Sequence, residues 1–353
     1  MEPHDRPQRT AHPRRGRPAP DPTGPGQAPQ PGALRLPRQL GRPPHLGPGH
    51  SRPPRRRLTA VRDLAGRTAF VTGGDSGIGL GVAHVLCHAG MNVVICGVVT
   101  ESLQSAQREL ARIGQAEAVR LDVRDREAFA AVADRLDAEY GGVDVLVNNA
   151  GVGFLAPVVE ASFDQWDWVL DINLTGVFNG IRTFLPRMLA AGRPGHIVST
   201  ASIGGLLGTP GALYVAAKFG VVGLMEALAA ELRDTHVNVS VLTPGIVRTN
   251  IHQGPPPPGG PGPQAPGALA EADLHQTAML PREVGERVLL AIQEESLYVL
   301  THAEHRDLLA RRFDAILASV PTGQENPRRA AVERSVLANP VYDEVLAAAE
   351  ARR

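Results

Sequence analysis

The sequence predicts an α/β protein: a single-domain, doubly wound parallel sheet of about seven strands, with helices on both faces. Three observations predict it. Short apolar runs alternate with helical patterns from Leu64 to beyond Leu300. The runs are apolar almost throughout rather than at every second residue, as strands covered on both faces must be. The first run leads through a glycine turn directly into a helix, and right-handed crossovers then wind such units into one open sheet.

The elements follow in order. "TAFVTGG" is a β-rich run ending in glycine, and "GIGLGVAHVLCHAG" has helical spacing with a glycine stop. "NVVICG", "AEAVRLDV", "VDVLVNNAG", "GHIVSTAS" and "VNVSVLTPG" read as the next five strands. Between them, "ESLQSAQRELARIG" and "DREAFAAVADRLDAEYG" are amphipathic helices. A long helix is expected from about Phe163 to Ala191, stepped at Pro186. "GALYVAAKFGVVGLMEALAAELR" is a helix apolar on more than one face, so more than its sheet side should be buried. "PREVGERVLLAIQEE", the strand "SLYVLTH" and "AEHRDLLARRFDAILASV" complete the body.

Outside that body the composition changes. Residues 1–57 hold 15 prolines and 12 arginines against three acidic residues, a net +9. They lack apolar periodicity and are expected to be disordered. Three readings stay open: a mis-assigned start with translation beginning near Val61, a genuine flexible tail, or an arginine arm for a polyanion. The third would work without base stacking, because the tail has no aromatic residue. Residues 58–326 form the expected catalytic domain, with a Pro/Gly-rich lid at about 252–280, and 327–353 a charged helical tail. No uninterrupted apolar run reaches the ~18 residues needed to span a membrane. Cys87 and Cys96 give no disulfide framework, so the expected setting is the cytoplasm. No metal site is expected.

The chemistry begins at "TGGDSGIG", Thr72 to Gly79. Glycines at 73, 77 and 79, after a strand and opening a helix, allow a tight turn and close approach to a pyrophosphate, whose charge the helix N-terminus favours. The spacing Gly-x-x-x-Gly-x-Gly resembles that of the short-chain dehydrogenase/reductase family, and later motifs match it in order. Asp122 ends the third strand, "NNAG" (Asn148–Gly151) follows the fourth, and Asn173 lies in "INLTG". Ser202 follows the fifth strand, Tyr214 and Lys218 share the next helix, and "PGIVRT" follows the sixth. The resemblance covers about residues 62–320.

The resemblance implies a Rossmann-fold NAD(P)-dependent oxidoreductase that interconverts a carbonyl and an alcohol. Its implied catalytic set is Asn173, Ser202, Tyr214 and Lys218. Tyr214 would be the acid and base, and Ser202 would hold the substrate oxygen, with Ser199 and Thr200 as alternatives. Asn173 would hold a water between Lys218 and solvent. The implied cofactor contacts are Thr72, Gly73, Ser76, Gly77, Ile78, Gly79, Asp122, Val123, Asn149, Ala150, Gly151, Tyr214, Lys218, Pro244, Gly245, Val247 and Thr249. The resemblance also implies a dimer or tetramer and a small-molecule substrate; the apolar runs give no expectation of a membrane partner, and a nucleic-acid partner is the least favoured reading of the tail. A catalytically silent nucleotide-binding regulator of the same fold is the alternative.

Elementary chemistry supports the tyrosine–lysine pair. A phenol is a weak base near neutrality, and a cation four residues along the same helix face favours phenolate. Lys218 is the sole lysine beside 35 arginines, and a compact ammonium has rotatable donors that a planar guanidinium lacks. At the end of the second strand, Gly97 stands where an acid would select NAD, and Val98 where arginine would select NADP. Thr100 and Ser102 tolerate a phosphate and Asp75 opposes one; the balance leans to NADP. The expected pocket wall, Val152, Phe154, Gly204, Leu206, Leu207 and Ile246, suggests a hydrophobic ketone or alcohol.

Overall fold

All seven apolar runs become strands: β1 (Thr68–Thr72), β2 (Asn92–Gly97), β3 (Ala116–Arg120), β4 (Val145–Asn148), β5 (Gly195–Thr200), β6 (Val237–Thr243) and β7 (Tyr298–Leu300). They form one all-parallel sheet in the order β3-β2-β1-β4-β5-β6-β7. This computed structural model describes residues 61, 63–251, 256–260 and 277–352, all within one compact unit, Arg56–Arg353. The readings made for residues 1–57, and for most of the 252–280 lid, lie outside the described residues.

The helices are α1 (Gly77–His88), α2 (Thr100–Leu110), α3 (Arg126–Tyr140), α4 (Phe163–Leu170), α5 (Gly176–Ala191), α6 (Ala212–Glu231), α7 (Pro281–Glu294), α8 (His305–Ala318), α9 (Pro327–Leu337) and α10 (Pro340–Glu350). They cover both faces of the sheet, and the period-two geometry of a strand sorts the core accordingly. Phe70 of β1 packs with Phe129 and Phe184 from α3 and α5. Its neighbours Ala69 and Val71 face the other layer, with Leu86, Leu103 and Val288 from α1, α2 and α7. Strand order reverses beside β1, where β2 lies on one side and β4 on the other. A doubly wound sheet opens its ligand crevice at such a point, beyond the carboxyl ends of the strands.

The expected step in the long helix lies elsewhere than at Pro186, which sits inside an unbroken α5. The interruption is a π-helical turn, Asp171–Thr175, between α4 and α5. Here the Gly176 N–H reaches back to the Asp171 carbonyl, the wider ladder of a π turn, which re-aims nearby side chains. That turn carries Asn173.

Two further findings concern the C-terminal half. Helix α6 is, among the described residues, the one helix long and apolar enough to cross a membrane, contrary to the expectation that no run reaches that length. It is a core helix: Leu213, Val221 and Met225 are buried, and the charged Lys218 and Glu226 interrupt it. Residues 327–350 are helical as expected, and α10 is tied down. Val341 joins the main core, and Tyr342 donates to Glu226 of α6 at 2.9 Å.

Candidate active site

The glycine turn is built by backbone crowding. Gly73 and Gly77 have φ of +60° and +50°, a region open to glycine at little cost. A Cβ on Gly79 would lie 2.0 Å from the Gly73 carbonyl oxygen, and one on Gly73 would lie 2.8 Å from the Ala150 Cα. The turn therefore folds tightly on α1 and on the Asn149–Ala150 bend beyond β4. Ser76 precedes α1 without capping it through its side chain, so the first-turn N–H groups of Gly77, Ile78 and Gly79 face outward with their partial positive charge.

Thr72 and Asn149 hold this turn from behind. The Thr72 hydroxyl accepts from the Asn149 and Ala150 N–H groups at 2.9 and 3.0 Å. The Asn149 side-chain amide donates to the Thr72 and Gly73 carbonyls, both at 3.2 Å. Thr72 and Asn149 were expected to line the cofactor site, and their side chains are committed to the backbone that shapes the groove. Asp122 lies at the end of β3, where Arg124 holds its carboxylate in a two-pronged pair and keeps its pKa below the ordinary range. Val123 is buried, and its carbonyl accepts from Asn179 at 2.9 Å.

The tyrosine, serine, lysine and asparagine converge as expected. Tyr214 and Lys218 lie one turn apart on α6, with the ammonium 5.5 Å from the phenol ring centroid. Ser202 lies beside the phenol and works against the rise that burial imposes on its pKa, while its hydroxyl accepts from the Gly204 N–H at 3.2 Å. Its rivals do not face the site: Ser199 is fully buried and accepts from Asn148 at 3.2 Å, while Thr200 turns its hydroxyl to Asn149. Lys218 is buried and donates to the Thr200 carbonyl at 3.0 Å, leaving spare donors on the ammonium. Gly151 joins this cluster to the glycine turn. A Cβ there would stand 2.8 Å from Asn173 Oδ1 and 3.5 Å from Lys218 Nζ.

Two expectations change. The phenol of Tyr214 was expected to be lowered by Lys218; burial instead raises it, and Ser202 is what opposes that rise. Burial also lowers Lys218, from 10.5 to about 8, so desolvation disfavours the charged form of both groups. The Asn173 amide was expected to hold a water. Its nitrogen already donates to the Val152 and Val169 carbonyls, both at 3.1 Å, and its oxygen accepts from the Val152 N–H at 3.2 Å. Both N–H bonds are used, so only one oxygen lone pair remains for a water.

The loop after β6 closes the other side. The Pro244 carbonyl accepts from Ile203 N–H, and Gly245 N–H donates to Thr301 at 3.1 Å. Val247 forms a parallel bridge with Met279. Thr249 lies over the turn, its methyl 3.1 Å from where a Gly77 Cβ would be. Among the lid residues, Pro258 accepts from Gln165 of α4 at 3.2 Å. Of the expected wall, Val152 and Phe154 are packed into a side cluster with Trp168, whereas Ile246 is exposed and Leu206 and Leu207 are half-buried. Sequence reasoning did not single out Asn179, or the stacked His302 and His305 behind Gly245; neither carries a spacing signal.

Residues 67–256 match the family model of the short chain dehydrogenases. The chain belongs to the short-chain dehydrogenase family. It is similar to the C alpha-dehydrogenase of a Sphingobium strain, at 36% identity over 76% of this chain and 92% of that protein. It is also 36% identical to 3β-hydroxysteroid dehydrogenase 2 of Eggerthella lenta, over 54% of this chain and 75% of that one. A short-chain dehydrogenase/reductase of Burkholderia phymatum, solved in complex with NAD, aligns with a TM-score of 0.66 at 32% identity, covering 75% of this chain and 99% of that one. As a short-chain dehydrogenase, this chain is an oxidoreductase that uses a nicotinamide cofactor. Its residues fit such a dinucleotide. The turn leaves no room for a Cβ at Gly79, α1 opens without a side-chain cap, and Lys218 keeps donors in reserve.

Proposed function

We propose that this enzyme interconverts a hydrophobic secondary alcohol and its ketone, with Tyr214 as the proton donor and acceptor. The observation that carries the reading is the phenol of Tyr214, set beside Ser202 and one helical turn from a buried ammonium. The nicotinamide supplies or takes the hydride when bound. The protein's task is the proton and the orientation. Ser202 and Tyr214 present two hydroxyls to one substrate oxygen, so that oxygen is held while its proton moves to or from the phenol. Lys218 holds the ribose hydroxyls with its spare donors, and a positive charge there eases formation of phenolate. Gly151 keeps open the space between Lys218 and Asn173, where a water replaces the proton. Gly73, Ser76, Gly77, Ile78 and Gly79 take the pyrophosphate, with Asp122 and Val123 beside the adenine. Ala150, Gly151, Pro244, Gly245, Val247 and Thr249 flank the nicotinamide half.

An apolar substrate is supported by the exposed Ile246 and Leu155 and by the half-buried Leu206 and Leu207. The steroid in one relative's name is an alcohol of that kind. The neutral end of β2 leaves room for the 2′-phosphate of NADP, whereas the Asp75 carboxylate beside Gly97 opposes one, so the choice between NAD and NADP turns on Asp75. Assembly as a dimer or tetramer is supported by α6, which is apolar yet only partly covered in one chain, and by the exposed Phe178 of α5. Both cysteines are free and buried, which suits a cytoplasmic protein.

The test is a screen of alcohols and ketones with both cofactors, repeated with Tyr214→Phe. Turnover in the native enzyme, abolished in the variant while dinucleotide binding persists, supports the reading. Turnover retained by the variant refutes the tyrosine mechanism. No turnover on any alcohol or ketone favours the silent regulator.

A further inference from the structure

Strand β2 ends at Gly97 and is followed by Val98, Val99 and Thr100, so no acidic side chain leaves the strand where a dinucleotide's adenosine ribose would lie. The space beside Gly97 is nevertheless occupied by a carboxylate. A Cβ built on Gly97 would stand 2.6 Å from Asp75 Oδ1, 2.9 Å from its Cγ and 3.3 Å from Oδ2. Asp75 comes from the glycine turn, two residues after Gly73. Its backbone is anchored there because the Gly74 N–H donates to the Cys96 carbonyl at 3.1 Å, stitching the turn to the end of β2. Gly97 and Asp75 are complementary: a side chain at 97 would displace the carboxylate from the place it occupies. Asp75 is half-buried, and among the described residues nothing hydrogen-bonds to it or pairs with it. A carboxylate left without donors beside an otherwise neutral strand end has its acceptor capacity free for a ligand.

We propose that Asp75 takes over the task of the missing strand-end acid: it accepts the 2′- and 3′-hydroxyls of the adenosine ribose and selects NAD over NADP. This rests on the reading that the groove binds a nicotinamide dinucleotide. Two vicinal hydroxyls donate to one carboxylate, as they do to an acid at the end of β2. A 2′-phosphate would bring two like charges together at the same point. The selector has moved from strand to turn, so a motif search at the end of β2 misses it.

The experiment is direct titration of the purified full chain with ADP-ribose and with 2′-phospho-ADP-ribose by calorimetry, so that neither hydride transfer nor the substrate enters the readout. The native protein is expected to bind ADP-ribose more tightly by about 10- to 100-fold, the range of a charge-assisted hydrogen bond. Asp75→Ser should remove most of that preference while leaving the melting temperature near the native value. Adding Gly97→Asp to Asp75→Ser should restore it, by returning the acid to the strand. A preference that survives Asp75→Ser, or a native preference for the phosphorylated ligand, overturns the assignment of Asp75. Failure of the native protein to bind either ligand overturns the cofactor reading, and the assignment with it.

Discussion

Replacing Lys218 with methionine should stabilise the protein near neutral pH while removing its activity. The ammonium is 3% exposed, and its one hydrogen bond among the described residues is to the Thr200 carbonyl. Burial lowers its pKa from 10.5 to about 8, so folding disfavours the charged form. The cost is fully present below the folded value and is relieved as pH rises from 8 toward 10.5. At pH 7 the difference amounts to about 3 kcal/mol, falling to about 1 kcal/mol at pH 10. Methionine fills a similar volume but strips the Thr200 carbonyl of its donor, which costs about 1 kcal/mol. The variant should therefore gain about 2 kcal/mol at pH 7 and nothing at pH 10. Urea unfolding followed by circular dichroism at the two pH values measures this directly. A variant that is less stable than the native chain at pH 7, or that gains equally at both, would show that the buried charge is not what the site strains against. Sites that hold an unsatisfied charge for a ligand trade stability for function in this way.

Other outcomes follow from the same geometry. Asn173→Ala removes the side-chain partner of the buried Val152 N–H and of the Val152 and Val169 carbonyls, so its urea midpoint should fall by an amount equivalent to about 3 kcal/mol. Gly79→Ala cannot be accommodated 2.0 Å from the Gly73 carbonyl; titration with NADH should show dinucleotide binding lost even where the variant folds. His196 is buried between β5 and β6. Ser240 gives its proton to the Ser296 carbonyl, so the His196 Nε2–H donates to Ser240, and Nδ1 has no partner among the described residues. Burial lowers its pKa to about 3, so its contribution is intact above the unfolded value and is lost as pH falls. By pH 5 the loss should be about 2 kcal/mol, and His196→Gln should flatten that part of the pH–stability curve.

All seven strands were legible because buried parallel strands announce themselves as apolar runs, and the glycine spacing and the order of asparagine, serine, tyrosine and lysine marked the site. Those features are local: a strand, a turn or one helical turn contains the whole signal. The step at Asp171–Thr175 was not legible, because proline is the visible helix breaker, whereas a π turn is stabilised by Asn173 reaching a carbonyl 21 residues away. The committed state of Thr72 and Asn149 was hidden for the same reason, since each bonds across more than 70 residues.

The sequence by itself determined the fold, the family resemblance and the proton-handling pair, because each rests on residue type at fixed spacing. Tertiary structure alone decided the electrostatics. Only packing shows that Tyr214 is raised and Lys218 lowered, since burial is a property of everything around a group. Only packing places the Asp75 carboxylate in the space that Gly97 leaves, because two segments more than 20 residues apart meet there.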